Sequence, residues 1–166
     1  MADEDKYSAV GLFNYAHSYA ASAIELESST VDATHPDAVV YYLYFHAIEL
    51  YLKSYLLAHS VSEEDVQFKF GHKTRKLANK AKQLGLTLIE EDEAVVTLMA
   101  KTDNVISSRY LRVGTHTRLP FIAFQETCYR LHEQICPKAY EKVGGKRRPV
   151  LRISKNNTLI RPHADH

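Results

Sequence analysis

The sequence predicts an all-α protein, an up-down bundle of four to five helices followed by a basic C-terminal tail. Three observations lead to this prediction. Apolar residues recur about every 3.6 positions along almost the whole chain, and the alternation typical of strands is nearly absent. The six glycines and five prolines are few, and they fall where helices would begin or end. The predicted helices are joined by short links, and helices connected in this way usually pack side by side in alternating directions.

The two N-terminal helices are predicted over residues 5–26 and 36–59. In the first, an apolar stripe begins at Leu12. The second begins at Pro36, because proline suits the first helical position. Apolar side chains cover most sides of this second helix, which is typical of a helix at the centre of a core. A short turn is expected to follow at residues 62–65. The two apolar stripes of the second helix are Leu43, Ala47, Leu50 and Leu57, and Tyr41, Tyr44, Ile48, Tyr51 and Tyr55.

Three more helices are predicted later in the chain. The third follows Gly71 and ends at Gly85, since glycine is common just after a helix. The fourth covers residues 90–107, and a polar loop separates it from the fifth. Pro120 opens the fifth helix, and Pro137 kinks or ends it.

The near-neutral net charge of +1 hides two parts of opposite charge. Residues 138–166 carry eight Lys/Arg and two Asp/Glu, whereas residues 1–137 carry 13 Lys/Arg and 18 Asp/Glu. We therefore divide the chain into a helical domain at 5–142 and a basic tail at 143–166, flexible or partly extended. The tail is expected to add salt-sensitive, sequence-independent affinity for phosphate groups, and its removal after Gly144 is expected to leave the fold intact.

The sequence indicates a soluble, cytoplasmic protein without a membrane partner. Its N-terminus is acidic, whereas a secretory signal starts basic and continues apolar. The longest apolar stretch, residues 39–57, contains three polar or charged residues that are costly in lipid. Cys128 and Cys136 lie eight positions apart in one helix, a rise of about 12 Å that is too long for a disulfide. These cysteines are therefore expected to be small core residues.

No metal and no cofactor are expected from the sequence motifs. The Cys-x-x-Cys pattern, the P-loop and the G-x-G-x-x-G fingerprint are absent from the chain. Its nine histidines are scattered and form no cluster with the spacing of metal ligands.

A polar stripe on the second helix is the first candidate site. His46, Glu49 and Lys53 are spaced three and four positions apart, so they share one face of the most apolar helix. One interpretation is an intrahelical ion pair at the edge of the bundle. The other is that this stripe orients groups from the loop at residues 107–117.

The loop before the fifth helix is the second candidate site. Arg109, Arg112 and Arg118 with His116 suit an anion such as phosphate, and histidine adds proton transfer near neutral pH. The alternative is that the arginines cap the C-terminus of the fourth helix and that His116 is a surface residue.

Three short segments resemble segments of HEPN domains, and the resemblance covers about residues 5–142. The segment Phe45 to Leu57 is similar to the helix of that family with apolar-x-x-x-Glu-x-x-x-Lys-x-x-Leu spacing. Gly71-His72-Lys73, closed by Leu84-Gly85-Leu86, is similar to the Gly-His segment that follows it. Ser108-Arg109-Tyr110 resembles the Arg-Tyr segment before the last helix.

The resemblance implies a small all-α bundle that often forms homodimers. Many active HEPN proteins are metal-independent endoribonucleases of toxin–antitoxin and phage-defence systems, in which an arginine and a histidine share one cleft between two copies. Arg109 and His116, with six residues between them, are the corresponding catalytic pair here. Phosphate or nucleotide contacts are then assigned to Tyr110, Arg112, Arg118 and His72, and a structural or orienting role to His46, Glu49 and Lys53.

Tyr110 directly after the arginine is more similar to family members that bind nucleotides or act as partners. The sequence therefore predicts a noncatalytic dimerising module that binds RNA or nucleotide. The alternative is a metal-independent endoribonuclease that uses the Arg109–His116 pair. A third hypothesis is a toxin held by its partner, for which a nucleotidyltransferase or a small antitoxin is the candidate.

Overall fold

The computed structural model describes residues 7–101, 119–144 and 147–153. All regular secondary structure in these three ranges is helical, which confirms the all-α prediction. The helices pack around one shared core as a bundle. In chain order the helical elements are α1 (Ala9–Ser28), α2 (Pro36–Ala58), a π-helical segment (Asp65–Phe70), α3 (Thr74–Gln83), α4 (Glu90–Ala100) and α5 (Phe121–Ala139).

The ends of α1 and α2 follow from short-range signals. α1 begins at Ala9 rather than at residue 5, because the Ser8 hydroxyl accepts a hydrogen bond from the Gly11 backbone N–H at 3.0 Å and caps the helix there. α2 begins at Pro36, as predicted. Within α5, Pro137 lies in the last turn and the helix ends at Ala139.

The centre of the bundle is α2, which packs against α1, α3 and α5. Tyr44 and Tyr51 of α2 are fully buried. Phe124 of α5 stacks near Tyr44 with ring centroids 5.9 Å apart, and Phe13 of α1 meets Tyr51 edge-on at 5.5 Å. Because α1 and α5 both contact these aromatic rings, the prediction that this helix forms the centre of the core is confirmed.

The shorter helices α3 and α4 complete one side of the bundle. Leu77 and Ala81 are buried on α3, and Val95 and Met99 are buried on α4. α4 packs against α3 on one side and against α5 on the other. The connection between α4 and α5 includes residues 102–118, which lie outside the described ranges.

Part of the predicted basic tail packs on the bundle. Leu151 is buried in the core, and Ile153 packs against that core. The Pro149 carbonyl accepts a hydrogen bond from Nε2 of His132 in α5, at 3.0 Å. The domain boundary at residue 143 stays a prediction, but the charge division does not coincide with the edge of the core.

Both cysteines lie in the core as free thiols on α5. Burial raises the pKa of the Cys128 and Cys136 thiols, which keeps them in the unreactive protonated form at neutral pH. The prediction that Cys128 and Cys136 are small core residues is confirmed.

Among the described residues, no helix combines the length and the apolarity that crossing a lipid bilayer requires.

Candidate functional site

The candidate site residues divide into two groups. His46, Glu49 and Lys53 on α2 and His72 before α3 are described by the structure. The remaining predicted residues, which are Arg109, Tyr110, Arg112, His116 and Arg118, lie outside the described ranges.

The carboxylate of Glu49 is the centre of a small polar network. Its Oε1 accepts hydrogen bonds from Nζ of Lys53 at 2.6 Å and from Nδ1 of His72 at 2.8 Å. The side chains of Lys53 and Glu49 are 9% and 12% exposed, whereas the side chain of His72 is 54% exposed. The predicted intrahelical Glu49–Lys53 pair is therefore present, and a histidine from the next element joins it.

The turn before α3 brings His72 back to α2. The π-helical segment ends where the Gly71 N–H donates to the Val66 carbonyl at 3.1 Å, and the Lys73 N–H then donates to the Phe70 carbonyl at 3.0 Å. Gly71 has a φ of +52°, a left-handed conformation that glycine adopts without strain. The resulting tight reversal places the imidazole of His72 against Glu49, which is 23 positions earlier in the chain.

His46 lies beside this network, between two tyrosines. The Tyr19 ring meets the His46 ring edge-on at 4.4 Å, and the Tyr42 ring stacks on it at 5.9 Å. Burial lowers the pKa of His46; the charge of Glu49 opposes this shift, and the positive charge of Lys53 adds to it. His46 is therefore a neutral aromatic packing residue at pH 7 rather than a cation in the site.

A second ion cluster connects α3 and α4. Glu93 on α4 accepts from Nη1 of Arg75 at 2.6 Å and from Nζ of Lys82, both of which lie on α3. Hydrogen bonds from Lys82 and Arg75 lower the pKa of the Glu93 carboxyl. One carboxylate therefore pairs with two of the cations on α3.

Sequence reasoning missed the buried carboxylate of Asp92. Its side chain is 1% exposed, and its Oδ1 accepts from Nη2 of Arg130 at 2.7 Å and from the Thr127 hydroxyl at 2.7 Å. Its Oδ2 accepts from the Ile89 backbone N–H at 3.2 Å, which caps the start of α4. This cluster attaches α4 to α5, so its geometry indicates a structural role.

Sequence reasoning also missed two neighbouring histidines, His17 on α1 and His132 on α5. Their ring centroids are 5.4 Å apart. Because the Pro149 carbonyl can only accept, Nε2 of His132 carries the hydrogen, and Nδ1 accepts from the Tyr51 hydroxyl at 3.0 Å. Nδ1 of His17 is buried without a hydrogen-bond partner among the described residues. The two hydrogen bonds of His132 therefore fix its neutral tautomer.

This pair makes stability sensitive to mildly acidic pH. Burial lowers the pKa of His17 and of His132 below 6.5, and the hydrogen bond to Pro149 only partly opposes this for His132. Below pH 6.5 the unfolded chain therefore binds more protons than the folded chain, and stability is lost as the pH falls toward the folded pKa values. We expect the free energy of unfolding, measured in urea, to decrease between about pH 7 and pH 5.

A variant pair isolates the contribution of His17. His17→Phe removes one titrating group and breaks no hydrogen bond to a described residue, so it should flatten this pH dependence. His35→Gln, at an exposed histidine before α2, is the control and should keep the wild-type slope. Equal slopes of the unfolding free energy against pH in all three proteins would show that His17 does not cause the effect.

Within the described ranges, no group of three or more His, Cys, Asp or Glu side chains is arranged to hold a metal ion. The chemistry that the described site offers is therefore hydrogen bonding and charge from protein side chains. Comparison of the chain with models of protein families, with curated proteins and with solved structures finds no match.

Proposed function

We propose that the chain is a HEPN-like helical module that forms a homodimer and binds RNA or nucleotide without cleaving it. The observation that supports this most directly is the Glu49 network. Glu49 fixes Nδ1 of His72, which leaves Nε2 as the remaining nitrogen for a ligand on a half-exposed ring. A histidine that is held in place at the surface is suited to a phosphate or base contact.

The composition of this network favours binding over catalysis. Phosphodiester cleavage needs a group that stabilises charge on phosphate and a histidine that moves a proton. The described network contains no arginine, Lys53 is neutralised by Glu49, and His46 packs between two tyrosines. The alternative function, a metal-independent endoribonuclease, depends on Arg109 and His116 and is favoured by their six-residue spacing.

One experiment compares these two functions. The purified protein is incubated with a structured RNA, with and without a chelator, and both the integrity of the RNA and the affinity are measured. We expect intact RNA and an affinity that decreases steeply with salt. His72→Ala should weaken binding about threefold to tenfold, the value of one hydrogen bond, whereas His35→Ala should not.

The catalytic alternative makes the opposite forecast for the same assay. Cleavage that persists with chelator and disappears in both Arg109→Ala and His116→Ala would contradict the noncatalytic proposal. Light scattering on the same sample measures the oligomeric state. A monomer that binds neither RNA nor nucleotide would contradict both functions.

A further inference from the structure

A basic segment lies within the helical bundle, outside the predicted basic tail. Residues 66–83 contain six Lys/Arg and no Asp/Glu, whereas residues 1–137 as a whole are net acidic. This segment forms most of the π-helical segment and all of α3. A local excess of positive charge therefore lies on the surface of an otherwise acidic-leaning bundle.

The cations of α3 and of its N-cap residue, Lys73, fall into two groups. Arg75 and Lys82 face α4 and share Glu93. Lys73, Lys76 and Lys80 form no ion pair with any described residue, and Lys73 and Lys76 are exposed while Lys80 is partly exposed. We call these three residues the α3 lysine face.

The spacing of the α3 lysine face matches an extended anion. Its lysines are three and four positions apart, so they lie along one side of α3 over about 10 Å. The side of α3 that carries Leu77, Ala78 and Ala81 is buried against the bundle, and the lysines border it on the exposed side. Uncompensated lysines in a row of this length are suited to consecutive phosphates of a polynucleotide.

An exposed aromatic ring lies next to these lysines in the chain. Phe68 is 79% exposed, the largest fraction among the large apolar residues that the structure describes. Val66 and Phe70 are buried, and residues midway between them in a π-helix lie on the opposite side, which turns Phe68 outward. Phe68 makes no ring contact with another described residue, so its face is accessible.

We propose that the π-helical segment and α3 bind single-stranded RNA, with Phe68 stacked on a base and the α3 lysine face in contact with backbone phosphates. The ligand class rests on the function proposed above, but the contact residues are different ones. A free base face is offered by an unpaired strand and not by a duplex. A membrane surface is less suited, because the apolar side of α3 already packs in the core.

A charge-matched pair of variants tests the α3 lysine face. The probe is an oligouridine of about ten nucleotides, within the usual site size of single-strand binders. Lys73→Gln/Lys76→Gln/Lys80→Gln should weaken binding at least tenfold and reduce the slope of log affinity against log salt by about 2. The control Lys101→Gln/Lys138→Gln/Lys142→Gln removes the same charge outside the π-helical segment and α3, and its affinity should stay within about twofold of wild type.

The absence of tryptophan from the chain allows a direct test of stacking. Phe68→Trp introduces a single indole, whose fluorescence should be quenched by oligouridine while the affinity is kept. Phe68→Ala should lose about tenfold in affinity, and because the side chain is exposed the fold should not change. Vesicles of phosphatidylserine and phosphatidylcholine are the comparison ligand, and they should leave the Trp emission unchanged.

The outcomes distinguish failure of the α3 lysine face as a binding site from failure of the proposed RNA-binding function. A wild-type protein that binds no RNA overturns both proposals. RNA binding that is unchanged in the α3 lysine variant, or equally weakened in the charge-matched control, overturns the face alone. Trp emission that shifts with vesicles and not with oligouridine overturns it in favour of a membrane surface. Loss of affinity in the α3 lysine and Phe68→Ala variants, with the charge-matched control unchanged, supports it.

Discussion

Replacing Asp92 with alanine is expected to lower the free energy of unfolding by about 3 kcal/mol, the usual cost of removing one partner from a buried ion pair. The carboxylate is fully buried and accepts hydrogen bonds from Arg130, Thr127 and the Ile89 backbone. Alanine leaves the buried Thr127 hydroxyl without this acceptor and removes the cap at the start of α4. Urea unfolding, followed by circular dichroism, measures the loss.

The control for this variant lies in the same helical turn. Glu91 is exposed on the first turn of α4, so Glu91→Ala should change stability by less than about 0.5 kcal/mol. Asp92→Asn keeps an oxygen for Ile89 but loses the charge. Its loss of stability should lie between those of Asp92→Ala and Glu91→Ala. A loss for Asp92→Ala no larger than that for Glu91→Ala would show that the pair contributes little more than a surface charge.

Replacing Leu151 with alanine is expected to destabilise the bundle by about 2–3 kcal/mol, because a buried leucine leaves a cavity when it is shortened. Leu151 is 3% exposed and belongs to the core although it follows the five α-helices that the structure describes. Truncation after Gly144 should cost at least as much, since it also removes the Pro149 carbonyl that accepts from His132. Thermal unfolding of both proteins measures the effect.

Val150 supplies the matched control for the Leu151 prediction. It is 70% exposed in the same segment, and Val150→Ala should change stability by less than about 0.5 kcal/mol. A truncated chain with the melting temperature of the full chain would restore the division drawn from charge, in which the fold is complete before the basic tail.

The helices were predictable because their determinants are local. The start of α2 at Pro36 and the central position of that helix both follow from the sequence. The six-residue π-helical segment did not, because Val66 and Phe70 are four positions apart and this spacing suits an α-turn equally well. The backbone hydrogen bonds of a π-helix join residues five positions apart, and over six residues they leave no apolar period that differs from that of an α-helix.

The polar contacts were predictable only within one helix. The Glu49–Lys53 pair follows from its i,i+4 spacing. His72 reaches Glu49 across 23 positions, and Arg130 reaches Asp92 across 38, so both contacts depend on how the helices pack. Four consecutive acidic residues open α4, and only the packing of α5 decides that Asp92 is the buried one.

The net charge of a long segment can hide a local excess of the opposite sign. The sum over residues 1–137 is acidic, in part because the acidic first turn of α4 offsets the lysines of α3. The structure pairs only two of those α3 cations with α4, through Glu93, and leaves the α3 lysine face uncompensated. The sequence therefore predicted basic character in the tail and missed it at residues 66–83.

The single hydrogen bond between His132 and Pro149 has a consequence for local opening of the native state. Residues 147–153 have no regular secondary structure, and they are held by the burial of Leu151 and by that bond. Such a segment opens at a lower free energy than the helices, which makes it a separate cooperative unit. Hydrogen exchange at the ring N–H of His132 then reports the release of this segment while α1, α2 and α5 remain packed.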